Sequence, residues 1–288
     1  MTVIPINRGP KSTSPAAKPI VSAKSDIELE IARDQWDRPL ILPPDGVGKP
    51  VAYRRASSVA EVLEDHYGLH QWQLRLVVEG LAQRPDLVQS THTATKREIG
   101  LIAETAMEQA GAGVASRNGT TMHALTDLHD RGLPLPKGLP ANIEAMLEVY
   151  IKTTSRLEML DSERFVVCDA IKVAGTYDRR VRDKKTGLEV IGDLKTGQNL
   201  KYLAVKAPAQ VAVYAAGDHY DLDGEREAHG ADRDRGMLIW LPWTDDPSEA
   251  ICELRWLDLK IGRAAIKEAM RIDTLRKLTE AQTMPRVK

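Results

Sequence analysis

The spacing of apolar residues shifts from a helical to a strand period near Asp161, and that shift limits the fold more than any single motif does. From Ser57 to Leu160 the spacing is helical: Leu74, Val78 and Leu81, then Thr95-Lys96-Arg97-Glu98 leading into Ile102, Ala106 and Met107. Ser58-Val59-Ala60-Glu61 reads as a capping box. A further helix is expected from near Asn118-Gly119-Thr120 to Arg131-Gly132. Pro140 then opens an amphipathic one through Ile143, Met146, Leu147, Tyr150 and Ile151, ending around Leu160. Beyond Asp161 the period falls to two. Arg164 to Cys168, Ile171 to Arg182 and Leu188 to Leu194 read as strands, the last two joined by a turn at Asp183-Lys184-Lys185-Thr186-Gly187. A helix from Pro208 to about Tyr220, strands at Met237 to Leu241 and Ile251 to Leu257, and a helix from about Ile261 to Ala281 follow. This order predicts an α/β fold with one central mixed sheet flanked by helices, behind an N-terminal helical segment.

Three regions follow from the pattern: a flexible arm over 1–50, a helical segment over 51–160, and the sheet-bearing core over 161–288. Gly46-Val47-Gly48-Lys49 has the look of a phosphate loop but fails it, since Pro43 stands where the first glycine belongs and Pro50 where a Ser or Thr would hold magnesium. Cys168 and Cys252 are too few and too far apart for a disulfide framework or a four-cysteine cluster, and both are expected in the core. The five tryptophans, at 36, 72, 240, 243 and 256, are expected to include core members, and none is assigned to base stacking. No apolar run is long enough to span a bilayer, and Met1 to Lys24 lacks the apolar centre of a secretory signal, so the expected address is the cytoplasm, with no membrane partner.

The chemistry-bearing stretch is Gly175-Thr176-Tyr177-Asp178 with Gly192-Asp193-Leu194-Lys195. On a hairpin, Asp178 and Asp193 would converge at the end away from the turn, and Asp193 and Lys195, two apart, would share one face. Two carboxylates beside an ammonium, with the Leu194 carbonyl as a further ligand, suit Mg²⁺, with Mn²⁺ as substitute, and a phosphodiester substrate. Lys195 would orient or help deprotonate the attacking water. The triplet D-x-K alone is weak and occurs twice more, at Asp183 and Asp258. Asp183 reads as a solvated turn, and Asp258 has no acid-bearing hairpin partner upstream.

Taken in order, Gly119…His123, Glu163, Gly175-Thr176-Tyr177-Asp178, Gly192-Asp193-Leu194-Lys195-Thr196-Gly197 and Gln210…Tyr214 resemble the motif series of RecB-like nucleases of the PD-(D/E)XK superfamily, over roughly residues 115 to 260. The group includes CRISPR-associated RecB-like nucleases and many bacteriophage exonucleases. The resemblance implies a restriction-endonuclease-like core and DNA exonuclease activity in phage-type recombination or DNA processing, in the host cytoplasm if phage-encoded. It also implies metal ligation by His123, Asp178, Asp193 and, through water, Glu163, a catalytic role for Lys195, and site-flanking roles for Gln210 and Tyr214. The iron-sulfur cysteines and the helicase portions of some relatives are missing, so no cluster is expected. A single-strand annealing protein is a conceivable partner, and the oligomeric state is left open.

The formal net charge of −1 excludes binding DNA by bulk charge, so positive charge must be local. Arg179, Arg180, Arg182, Lys184, Lys185, Lys201 and Lys206 around the hairpin are expected to contact phosphates, with Arg54 and Arg55 as weaker candidates. Two alternatives remain: a catalytically inactive DNA-binding recombination factor of the same fold, and a structure-specific endonuclease.

Overall fold

The computed structural model describes residues 30–284. Strands β1 (Leu40–Ile41) and β2 (Val51–Ala52) pair antiparallel, and β3 (Arg54–Arg55) lies parallel to Val173 and Ala174 of a later strand. Ile31, Ile41 and Tyr53 are buried against Phe165, Val167, Ala174 and Tyr220. Residues 31–53 are thus packed on the sheet, which corrects the expected boundary at residue 50. The Pro- and Gly-rich turn there is local, and the apolar residues on either side of it reach a core. The earlier part of the expected arm lies outside the described residues.

Helices α1 (Ala56–Glu61), α2 (Tyr67–Gln83), α3 (Pro85–Ser90), α4 (Lys96–Gln109), α5 (Val114–Asp130) and α6 (Ala141–Thr154) come next. Ser58 is not a cap: it lies inside α1, whose N-cap position is Arg55. The reciprocal box forms at Thr95 and Glu98 instead, where the Thr95 N–H donates to Glu98 Oε2 at 2.7 Å. Helices α2 and α4 meet backbone to backbone, since a Cβ on Gly80 would fall 1.8 Å from the Ala106 carbonyl oxygen.

Strand β4 (Leu157–Cys168) starts well before the expected Arg164, because its first half carries charged, half-exposed side chains that hide the period. Then follow β5 (Val173–Asp183), β6 (Glu189–Lys195), α7 (Lys206–Ala216), β7 (Asp218–Tyr220), β8 (Arg226–Glu227), β9 (Arg235–Trp240), β10 (Glu253–Asp258), α8 (Leu259–Arg276) and α9 (Glu280–Thr283). The main sheet runs β10-β9-β6-β5-β4-β7-β8, with β3 added on β5. Along that path β6 and β9 are parallel and the other neighbours antiparallel, so the sheet is mixed.

Two apolar layers cover the sheet. Met122 and Leu125 of α5 and Met146, Leu147 and Tyr150 of α6 pack on Val181, Val190, Leu194 and Ile239. On the other side Val59 of α1, Val211 and Ala215 of α7 and Ile266 of α8 pack with Tyr177, Ile191 and Leu238. The predicted α/β class, a mixed central sheet between helices, is what forms. Cys168 is buried and Cys252 half-buried, and both thiols are free. Trp240 and Trp243 lie at the margins of the two layers, whereas Trp36 and Trp256 are exposed. Among the described residues no helix is long and apolar enough to cross a membrane.

Candidate metal centre

Strand β6 changes partner halfway along. Glu189 to Gly192 pair with β5, and from Gly192 to Lys195 it runs beside β9. Strand β3 takes the same edge of β5 at Val173 and Ala174, so neither partner covers the stretch from Gly175 to Asp178. Asp178 stands in the fork. Its Oδ2 accepts the Leu194 N–H at 2.6 Å, a side-chain substitute for the missing ladder bond. In an extended strand the N–H and C=O of one residue share an edge, so the Leu194 carbonyl also turns toward Asp178.

Ser162 pairs with Arg179 and Arg164 with Tyr177, which sets Glu163 directly opposite Asp178. Glu163 has a left-handed backbone, φ +49°, an unusual state for a glutamate inside a strand. Side-chain alternation fails there: Ser162 Oγ donates to Asp127 Oδ1 at 2.6 Å, yet the neighbouring Glu163 also faces α5 through His123. One ligand atom each from His123, Glu163 and Asp178 lies within 4.8 Å of the others, and His123 Nδ1 is 3.6 Å from Asp178 Oδ2. Helix α5 is held to the strands by buried contacts: Arg179 Nε donates to Asp130 at 2.7 Å and Arg179 Nη2 to Thr126 Oγ1 at 3.0 Å. One turn before His123, Gly119 passes the end of β6 so closely that a Cβ would sit 3.0 Å from Thr196 Oγ1. That glycine lies inside α5, which begins at Val114 rather than near Asn118.

Asp193 and Lys195 share a face as their spacing predicts, with Lys195 Nζ donating to Asp193 Oδ1 at 2.8 Å. Asp193 is not one of the three clustered ligands, because its carboxylate turns to the ammonium two residues on. Its buried Oδ2, also 2.8 Å from Nζ, receives no hydrogen bond of acceptable angle. Burial pushes the Asp193 carboxyl up and the Asp178 charge adds to this, against the pull of Lys195. Burial acts the same way on Asp178, but the charges of His123, Lys195 and Arg179 outweigh it and hold that carboxyl low. Lys195 is held protonated: burial opposes its charge, and Asp193 and Asp178 overcome that. The centre thus pairs one firmly ionised carboxylate with one that holds a proton more readily.

Gln210 and Tyr214 bond to each other, Nε2 to the phenol oxygen at 3.0 Å. Tyr214 packs over Gly175, where a Cβ would lie 3.1 Å from Cε1. The glycine that opens the Gly175-Thr176-Tyr177-Asp178 motif therefore admits the tyrosine of the last one.

The expected phosphate contacts fare differently. Arg179 is buried, 1% exposed, in its pair with Asp130, which corrects its reading as a DNA contact. Arg180 is held by Asp161, Glu189 and the His229 carbonyl, and Arg182 by Glu158 and Glu189. Arg54 pairs with Asp273 and Arg55 with Asp37. Neutralised cations of this kind have little left for a phosphate. Lys184 and Lys185 sit in the turn at the far end of the hairpin, about 20 Å from Asp178 at strand rise. Asp183, expected in solvent, is buried and anchors that turn through Arg156 and Thr186. Asp258 caps α8. Lys206 pairs with Glu64, while Lys201 stays exposed on the short 3-10 helix Leu200–Leu203.

Sequence reasoning missed Asp130 and Thr126 and left Asp127 unassigned, although their spacing after His123 puts them on neighbouring turns of the same helix. A scan against protein-family models finds no match for the chain, and a search of curated protein sequences finds none either.

Proposed function

We propose that this chain is a magnesium-dependent deoxyribonuclease that hydrolyses DNA phosphodiester bonds from an end, in phage-type recombination or DNA processing. The observation carrying this reading is the meeting of His123, Glu163 and Asp178 within 4.8 Å, beside the buried Asp193 and Lys195 pair, in the fork between β5 and β6. The ordered motifs that resemble RecB-like PD-(D/E)XK nucleases support the same reading.

The donor set fits a divalent cation. Glu163 and Asp178 stand opposite one another across a strand pair, and each brings a carboxylate oxygen within 4.8 Å of a His123 ring nitrogen. Two hard carboxylates suit Mg²⁺ with water completing its shell, and the imidazole favours substitution by Mn²⁺. Glu163, Asp178 and His123 would hold the ion, with the Leu194 carbonyl turned toward the same side. When bound, the ion would supply Lewis-acid polarisation of a phosphate oxygen and make a bound water more acidic. Lys195 places a permanent positive charge where the pentacovalent phosphate gains negative charge. Asp193 orients that ammonium, with both its oxygens 2.8 Å from Lys195 Nζ.

Purified protein with Mg²⁺ is expected to degrade linear DNA and spare covalently closed circles, while Asp178→Ala and Lys195→Ala each lower the rate about a hundredfold or more. End-labelled DNA read on a gel checks this, and undiminished cleavage by both variants overturns the assignment. Cleavage of the closed circle at the same rate would replace an exonuclease with an endonuclease.

A further inference from the structure

A groove of about 800 Å³ runs between the start of α2 and the 3-10 helix Leu200–Leu203. Its helical wall is formed by Gly68, Trp72 and Arg75, spaced four and three apart and so on one face of α2. Tyr202 stands opposite. Its neighbours Leu200 and Leu203 pack on the core, which turns the tyrosine outward. Gly68 has no side chain to block it: a Cβ there would lie 3.9 Å from the Tyr202 hydroxyl oxygen. Tyr67, Tyr202 and Trp72 leave 71%, 66% and 37% of their surface exposed around this one groove. Arg75 and Lys201, on its two walls, form no ion pair among the described residues, whereas Lys206 is already taken by Glu64 at 3.0 Å; Asp65, which also lines the groove, accepts the Tyr67 N–H at 2.9 Å.

Clustered exposed rings mark a binding surface rather than a surface that meets only water. Rings alone would suit many partners, and cations alone any polyanion. Together they match a strand whose bases offer flat faces and whose backbone offers phosphates. A duplex keeps its base faces stacked inside and gives the rings nothing to cover. The chain from Lys195 to Lys201 spans at most about 20 Å, so a strand lying in the groove is close to the metal centre.

We propose that this groove binds single-stranded DNA and leads it toward Lys195, with Tyr67, Trp72 and Tyr202 stacking on bases and Arg75 and Lys201 meeting phosphates. The role of the bound strand as substrate rests on the nuclease reading. Its binding does not, and is measured without turnover. Fluorescent oligo(dT) titrated with the full chain in EDTA, followed by anisotropy, is expected to bind at least about tenfold tighter than a duplex of equal length. Tyr202→Ala and Trp72→Ala should each weaken binding roughly five- to hundredfold, and Tyr202→Phe, which keeps the ring, should restore it. Replacing Arg75 and Lys201 together by alanine should flatten the dependence of log K on log salt by about 1.4. Equal affinity for duplex, or a Tyr202→Ala protein that binds oligo(dT) as the parent does, overturns the proposal and leaves the groove to another kind of partner. Oligo(dT) binding that fails in the groove variants, in a protein that never cleaves DNA with Mg²⁺, keeps the groove and removes the nuclease. Cleavage with unaltered binding in those variants does the reverse.

Discussion

Glu163 combines a left-handed backbone with a place opposite a second carboxylate. Its φ of +49° is a backbone state that a non-glycine residue holds at a cost of about 1–3 kcal/mol, and its carboxylate faces that of Asp178. A glycine would relieve the backbone state, at the expense of about 0.5–1 kcal/mol of extra chain entropy. Glu163→Gly therefore removes the candidate ligand together with the strained backbone state, and is the variant that tests its part in holding the ion. The same variant should need at least tenfold more Mg²⁺ for half-maximal DNA cleavage, or lose cleavage. Cleavage at the parent's Mg²⁺ requirement would remove Glu163 from the ligand set. The candidate ligand was legible in the sequence only through its place in the motif order. The backbone state that aims it was not, since no residue type announces a left-handed glutamate.

Helix α5 and strand β5 act as one unit through the pair Arg179 and Asp130, each side chain 2% exposed. Asp130 also accepts the Tyr150 hydroxyl at 2.6 Å, which ties α6 into the same point. Removing only the arginine leaves a buried carboxylate without its countercharge, and Arg179→Ala should cost about 3–5 kcal/mol in urea unfolding. Adding Asp130→Asn to Arg179→Met removes both charges and keeps an acceptor for Tyr150, so the double variant should recover a large part of that loss. Equal stability of Arg179→Ala and the parent would show that the pair contributes nothing. An arginine following an acid on an amphipathic strand reads in sequence as a surface cation, which is why Arg179 was expected on DNA. Its true partner lies on a helix far upstream, and the break in alternation at Glu163 lets both Asp178 and Arg179 reach that helix. Long-range pairing and broken alternation leave no periodic trace, whereas the shared face of Asp193 and Lys195 follows from a spacing of two and was legible outright.

At the scale of the molecule, the switch from helical to strand period gave the three layers, because long elements with a buried face carry it in their spacing. Two-residue strands such as β3 carry no period, and so the packing of residues 31–53 onto the sheet was hidden. Hidden too was a histidine pair at the sheet edge that couples several elements. The Tyr177 hydroxyl donates to Asp161 at 2.6 Å, which leaves its oxygen to accept from His219 Nε2 at 2.7 Å, and buried His229 meets the Tyr214 carbonyl at 3.0 Å. Burial first, then Arg164 for His219 and Arg180 for His229, holds both imidazoles below their ordinary value near 6.5. A folded-state value below the unfolded one means that the unfolded chain binds more protons as pH falls. The stabilising contribution is complete above about pH 6.5 and is lost as pH drops through the lowered values, so it acts in the window where the His side chains alone change charge. The urea midpoint of the parent is expected to fall between about pH 6.5 and 5, and to fall less in His219→Gln, which keeps a donor toward Tyr177 but cannot take up a proton. Midpoints that track one another across that range would place the acid sensitivity elsewhere than in this pair.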